Sequence, residues 1–184
     1  MLSARGLLDV RPRSGTYVAG EIPSGELKAL TDLISVDPGR IWELLEIRRV
    51  VDTAAAELAA ARRDETDLER LRELVRSPGL RSPRELIDQP EGGRAYGRFF
   101  ALLARATGNA LFEHLVCSVA ASLRRALPYS RLLLAGVDGA ADTIRNQLLA
   151  ILDAVERGDP QGARRCTVEH LDTLEAYLRR RSEG

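Results

Sequence analysis

Two side chains in this sequence stand where their chemistry needs a partner. Arg48 falls on the stripe Ile41, Leu44, Arg48, Val51, Ala55, whose helical spacing marks it as core-facing. An unpartnered guanidinium in such a place costs several kcal/mol. Asp52, four residues on, could accept from it, as could a carboxylate of another helix. The third possibility is the anionic group of a ligand received inside the fold, which the planar fork of arginine suits. His170 shares an inward stripe with Ala163, Thr167, Leu171, Leu174 and Leu178. The other histidine is His114, so this chain alone cannot supply a multi-histidine metal site. A lone helical histidine is ordinarily a partly buried or surface residue. Cys117 and Cys166 lie far apart, each in an apolar helical pattern, which points away from a disulfide scaffold or a structural zinc. P-loop, dinucleotide-binding, HExxH and GxSxG patterns are all missing from the sequence, so no enzyme is expected. The basic runs Arg62-Arg63, Arg124-Arg125 and Arg179 to Arg181 read as solvated faces or helix ends.

The elements that must position these residues are mostly helical. Asp37-Pro38 supplies a cap and a first-turn proline before a long amphipathic helix over 39–63. Asp64 or Thr66 can cap a second helix through Val75, broken by Ser77-Pro78-Gly79, and a short turn of helix can follow Pro83. Beyond Pro90-Glu91-Gly92-Gly93 a third long helix carries Tyr96, Phe99, Phe100 and Leu103 on one side and stops at Gly108. Asn109 caps the next, expected to run to about Leu127; 129–137 is ambiguous between loop and helix. A further helix from Asp138 to Gly158 presents Ile144, Leu148, Ile151, Leu152 and Val155, and Asp159-Pro160 opens the last, whose terminal arginines suit the helix dipole. Ahead of all this, Leu7 to Val10 and Thr16 to Val18 flank Arg11-Pro12-Arg13-Ser14-Gly15, the pattern of a β-hairpin.

With 184 residues, the chain is about one domain by size. Its 27 Lys plus Arg balance 27 Asp plus Glu, so any contact with nucleic acid must come from a local patch. No stretch approaches the ~20 uncharged apolar residues a bilayer span needs. Arg5, Asp9, Arg11 and Arg13 stand where a signal peptide would have its apolar core, so a cytoplasmic protein without membrane contact is expected.

Four segments in order carry a resemblance. Leu44-Leu45-Glu46-Ile47-Arg48-Arg49-Val50-Val51-Asp52 with Ala54-Ala55-Ala56 resembles the opening helix of the FCD ligand-sensing domain of FadR-type regulators in the GntR family. Residues 101–109 resemble the family's FHxxLxxAxGN segment, residues 151–160 its HxxIxxAIxxGD segment, and Glu169-His170-Leu171 its terminal HL. Residues 6–18 are similar to the wing of the family's winged helix-turn-helix, in which Arg11, Arg13, Gly15 and Thr16 would approach DNA. The recognition helix of such a domain would lie upstream of Met1.

The resemblance implies an all-α, antiparallel bundle of about six helices preceded by a short hairpin remnant. Residues 1–22 would be that remnant, 23–36 a linker, and 37–184 an effector-binding and dimerisation domain. FCD domains of this kind hold a divalent metal with one Asp and three His. The resemblance puts those positions at Tyr96, Phe100, Leu148 and His170, three of which are poor metal ligands. It therefore implies no metal and no other cofactor, but a more apolar ligand pocket lined by Arg48, Tyr96, Phe100, Leu148 and His170, with Arg48 and His170 anchoring a carboxylate. The rings could instead simply fill it. The expected function is a homodimeric transcriptional regulator that senses a small organic acid or acyl effector and meets DNA through a complete winged-helix domain. The competing expectation is a headless dimerisation module without effector.

Overall fold

The computed structural model describes residues 8–11, 15–18, 40–88, 90–120, 134 and 137–182. Strands β1 (Leu8–Arg11) and β2 (Gly15–Val18) form an antiparallel hairpin in which Leu8 pairs with Val18 and Arg11 with Gly15. The expected linker, the Asp37-Pro38 cap, Arg13 of the wing, Arg124-Arg125 and the end of the helix after Asn109 lie outside the described residues. Seven helices follow among those described: α1 (Ile41–Arg62), α2 (Glu65–Arg76), α3 (Pro83–Asp88), α4 (Pro90–Ala106), α5 (110–120), α6 (Ala140–Glu156) and α7 (Pro160–Ser182).

The caps follow local chemistry. Asp64 accepts from the Asp67 amide at 2.8 Å while the Asp67 carboxylate faces the Asp64 amide, closing a capping box at α2. Asn109 Oδ1 accepts from the Phe112 amide at 3.1 Å and starts α5. Between α6 and α7 only 157–159 intervene, so the two helices lie antiparallel against each other.

Helix α1 is central and packs on α7, α4 and α6. Ala55, Ala56, Ala59 and Ala60 in its second half are buried and keep the helix axes close, while Leu44 and Leu45 fill its first half. Phe99, Phe100 and Leu103 of α4, Leu148 and Ile151 of α6, and Leu171 and Leu178 of α7 complete the core.

One expectation is corrected: α4 begins at Pro90, before the two glycines rather than after them. Gly92 lies inside its first turn because a Cβ there would come within 2.2 Å of the Leu86 carbonyl oxygen. It serves the close approach of α3 to α4, not the breaking of a helix.

The run Arg62-Arg63 joins helix ends. Arg62 donates to the Thr107 carbonyl just past α4 at 3.1 Å, and Arg63 to the Glu156 carbonyl at the end of α6 at 3.1 Å. These carbonyls have no intrahelical partner, and a cation suits the negative end of the dipole. Gly158, at φ +64°, turns the chain out of α6 directly under Arg63. A Cβ on Gly158 would lie 2.8 Å from Arg63 Nη2 in a backbone conformation that L side chains avoid. Gly158→Ala is expected to destabilise by about 1–2 kcal/mol and Arg63→Ala by about 1 kcal/mol. In urea denaturation the double variant should lose less than the sum, since the first change already displaces the guanidinium.

Candidate functional site

Helix α1 carries Arg48 into the core with only 2% of its surface exposed, and Asp52, one turn on, is equally buried. Of the acceptors the sequence offers, Asp52 is the one found, and the partner on another helix is a hydroxyl rather than a carboxylate. Arg48 Nε donates to Asp52 Oδ2 at 2.7 Å, and Nη2 donates across the bundle to the Tyr96 hydroxyl at 2.9 Å. The guanidinium carbon stands 5.2 Å from the Tyr96 ring centroid and 4.9 Å from that of Phe100, in cation–π range. The third nitrogen, Nη1, is buried and has no hydrogen-bond partner among the described residues. A buried orphan donor of this kind costs roughly 1–3 kcal/mol unless something else satisfies it.

Tyr96 of α4 brings in α7: its hydroxyl is 2.7 Å from His170 Nε2. His170 also lies alongside Phe100, ring centroids 5.9 Å apart, and its Nδ1 is 3.2 Å from Gln147 Oε1 of α6. Gln147 Nε2 donates to Thr173 Oγ1 at 2.9 Å, which donates to the Glu169 carbonyl at 2.8 Å. Leu148, beside Gln147, is buried on the inward face of α6. The fold thus brings Arg48, Tyr96, Phe100 and His170 into one cluster drawn from three helices. Both ring nitrogens of His170 are engaged by protein groups, which leaves Arg48 Nη1 as the donor in surplus. Gln147 and Thr173 are additions that the sequence does not signal, because both fall on positions that read as solvated.

The electrostatics follow from burial around one fixed cation. Burial opposes the charge on Arg48, but the Tyr96 oxygen and the Asp52 carboxylate together more than offset it and hold it protonated. Burial also pushes the Tyr96 hydroxyl up, partly countered by Arg48, and pushes the Asp52 carboxyl up, again partly countered by Arg48. His170 is driven from its ordinary 6.5 down to about 3, first by burial and then by the charge of Arg48. The unfolded chain therefore takes up a proton below about 6.5 that the folded chain refuses. The stability that this histidine carries is complete above that pH and is lost as pH falls towards the folded value. Between about pH 7 and about pH 5 the loss is on the order of 2 kcal/mol. Urea midpoints of the wild type and His170→Gln should converge by that amount; parallel curves would mean that His170 titrates freely in the fold.

These residues do not fit a divalent metal. Phe100 and Leu148 offer no donor atom, and the Tyr96 oxygen already accepts from a guanidinium. No group of three His, Cys, Asp or Glu able to hold an ion occurs among the described residues. An ion placed here would also meet the positive charge of Arg48 in a low-dielectric interior. Of the wing positions, Arg11, Gly15 and Thr16 lie in the strands of the hairpin.

Comparison with known proteins bears on the whole assembly. The model of the FCD domain matches residues 43–173, which span every residue of the cluster. The chain is 27% identical over 179 residues to the HTH-type transcriptional regulator LutR of Bacillus subtilis (strain 168), covering 96% of this chain and 80% of that one. It is 24% identical over 187 residues to a protein of Escherichia coli (strain K12) provisionally named the L-lactate dehydrogenase operon regulatory protein, covering 99% and 70%. In structure it is similar to a GntR of Streptococcus agalactiae, with a TM-score of 0.69 at 23% identity over 95% of this chain and 77% of that chain. No described helix is long and apolar enough to cross a membrane. A helical bundle with this helix order, matched over most of its length, places the chain in the FCD-domain family of GntR-type regulators.

Proposed function

We propose that this chain is the effector-sensing and dimerising part of a GntR-type transcriptional regulator, and that it has no catalytic role. The carboxylate of a small organic acid or acyl compound is received at Arg48, within a metal-free pocket formed with Tyr96, Phe100, Leu148 and His170. One observation carries this reading: Arg48 Nη1, in the middle of the domain, is a charged donor without a partner among the described residues. The apolar faces of Phe100 and Leu148 suit the hydrocarbon part of such a ligand. The lactate-operon relative makes a short 2-hydroxy acid the first compound to try.

A ligand acts on a regulator only through unequal affinity for two conformations. Here the output is the relative placement of DNA-binding heads in a homodimer, with Arg11, Arg13, Gly15 and Thr16 in the wing of each head. Exposed Ile47 and Val50 on α1, and Leu111 and Leu115 on α5, are apolar surface available to a second copy.

L-Lactate, propionate and longer acyl acids should be titrated against thermal unfolding. A ligand at about a hundred times its Kd is expected to add about 2.7 kcal/mol to stability. Joined to a complete winged-helix head, the chain should also bind DNA in an acid-dependent way. If no acid moves the midpoint and the joined protein ignores all of them, the effector reading fails. A ligand-independent dimer by sedimentation would then favour the plain dimerisation module.

A further inference from the structure

The hydrogen bonds that link Arg48 Nη2, Tyr96, His170, Gln147 and Thr173 have only one order in which each of these contacts pairs a donor with an acceptor. Arg48 Nη2 can only donate, so the Tyr96 oxygen accepts at 2.9 Å. The Tyr96 proton then goes to His170 Nε2 at 2.7 Å, which must be bare. The imidazole is held neutral, so its proton sits on Nδ1 and is given to Gln147 Oε1 at 3.2 Å. That turns the Gln147 amide nitrogen towards Thr173 Oγ1, whose own proton goes to the Glu169 carbonyl. Reversing the Gln147 amide would protonate Nε2, strand the Tyr96 proton between two donors and compete with the Thr173 bond. The chain of donors therefore runs outward from the guanidinium, across α4 and α7, to the half-buried Gln147 on α6.

We propose that Gln147, itself held by Thr173, is the positioning residue that fixes His170 in its Nδ1–H form and, through it, the direction in which Tyr96 gives its proton.

The tautomer is read by long-range proton–nitrogen correlation spectra of the full chain labelled with ¹⁵N-histidine. Only His114 and His170 contribute, and His114→Gln tells them apart. The wild type is expected to show His170 with a protonated Nδ1 and a bare Nε2. Gln147→Glu keeps an acceptor oxygen and should preserve that pattern, whereas Gln147→Leu should move the proton wholly or partly to Nε2. A wild type protonated on Nε2, or an unchanged spectrum in Gln147→Leu, overturns the assignment.

Discussion

Arg48→Ala is expected to destabilise the protein by roughly 3–5 kcal/mol, the cost of removing one partner of a buried ion pair. Three losses combine. The Asp52 carboxylate remains 2% exposed without its cation, the Tyr96 oxygen loses the donor at 2.9 Å, and the rings of Tyr96 and Phe100 lose the plate lying against them. The effect should depend on pH in a defined sense. Burial pushes the Asp52 carboxyl up, and without Arg48 it rises further. A group whose folded pKa is raised contributes its stability below its unfolded value and loses it as pH rises through the folded one. Arg48→Ala should therefore be least damaging in acid and most damaging above neutrality, as urea unfolding across pH will show. Replacing both partners, Arg48→Met with Asp52→Leu, should recover most of the stability, because the pair gains little over a well-packed apolar substitute. That double variant should fold and yet lose every response to an organic acid. A double variant as unstable as Arg48→Ala would mean that the cost lies in packing and not in the stranded charge.

Gly92→Ala is the second large effect, expected at about 3 kcal/mol. The new methyl would lie 2.2 Å from the Leu86 carbonyl oxygen and 2.4 Å from that of Glu85, both fixed backbone atoms of α3. The gain in helix propensity, about 1 kcal/mol, opposes this but is too small to offset it. Gly97 provides the control five residues along the same helix, since no described atom lies within 4 Å of the Cβ it would acquire. Gly97→Ala should raise stability by about 0.5–1 kcal/mol. Opposite signs at two glycines of one helix, read from thermal midpoints, separate close approach from helix propensity. Similar signs would contradict the contact between α3 and α4.

These glycines also show where the sequence is legible and where it is not. Periodicity reports the inward stripes, so Arg48 and His170 stand out as polar residues among apolar ones, and Tyr96, Phe100 and Leu148 fall inside. Short-range chemistry reports the caps at Asp64 and Asn109, because an N-cap bond spans only three residues. A close approach between helices leaves no local mark, and for that reason the sequence places Gly92-Gly93 ahead of the helix rather than inside it. The partners of a charge are equally hidden. Arg62-Arg63 could have been any solvated pair, and which carbonyls they reach depends on how α4 and α6 end beside α1. Gln147 and Thr173 carry ordinary surface polarity, and nothing in a linear pattern states that an imidazole lies next to them.

The consecutive arginines at the end of α1 have a mechanical meaning. From Arg48 to Arg62 the helix advances about 21 Å, at about 1.5 Å per residue. Two turns into the helix sits the buried Arg48–Asp52 pair, and at its far end two grips hold the tails of two separate neighbours. A push or pull on the guanidinium cannot be absorbed by α1 sliding alone, since both tails would have to follow it. An axial shift of α1 would therefore strain the Arg62 and Arg63 bonds and couple its movement to the ends of α4 and α6.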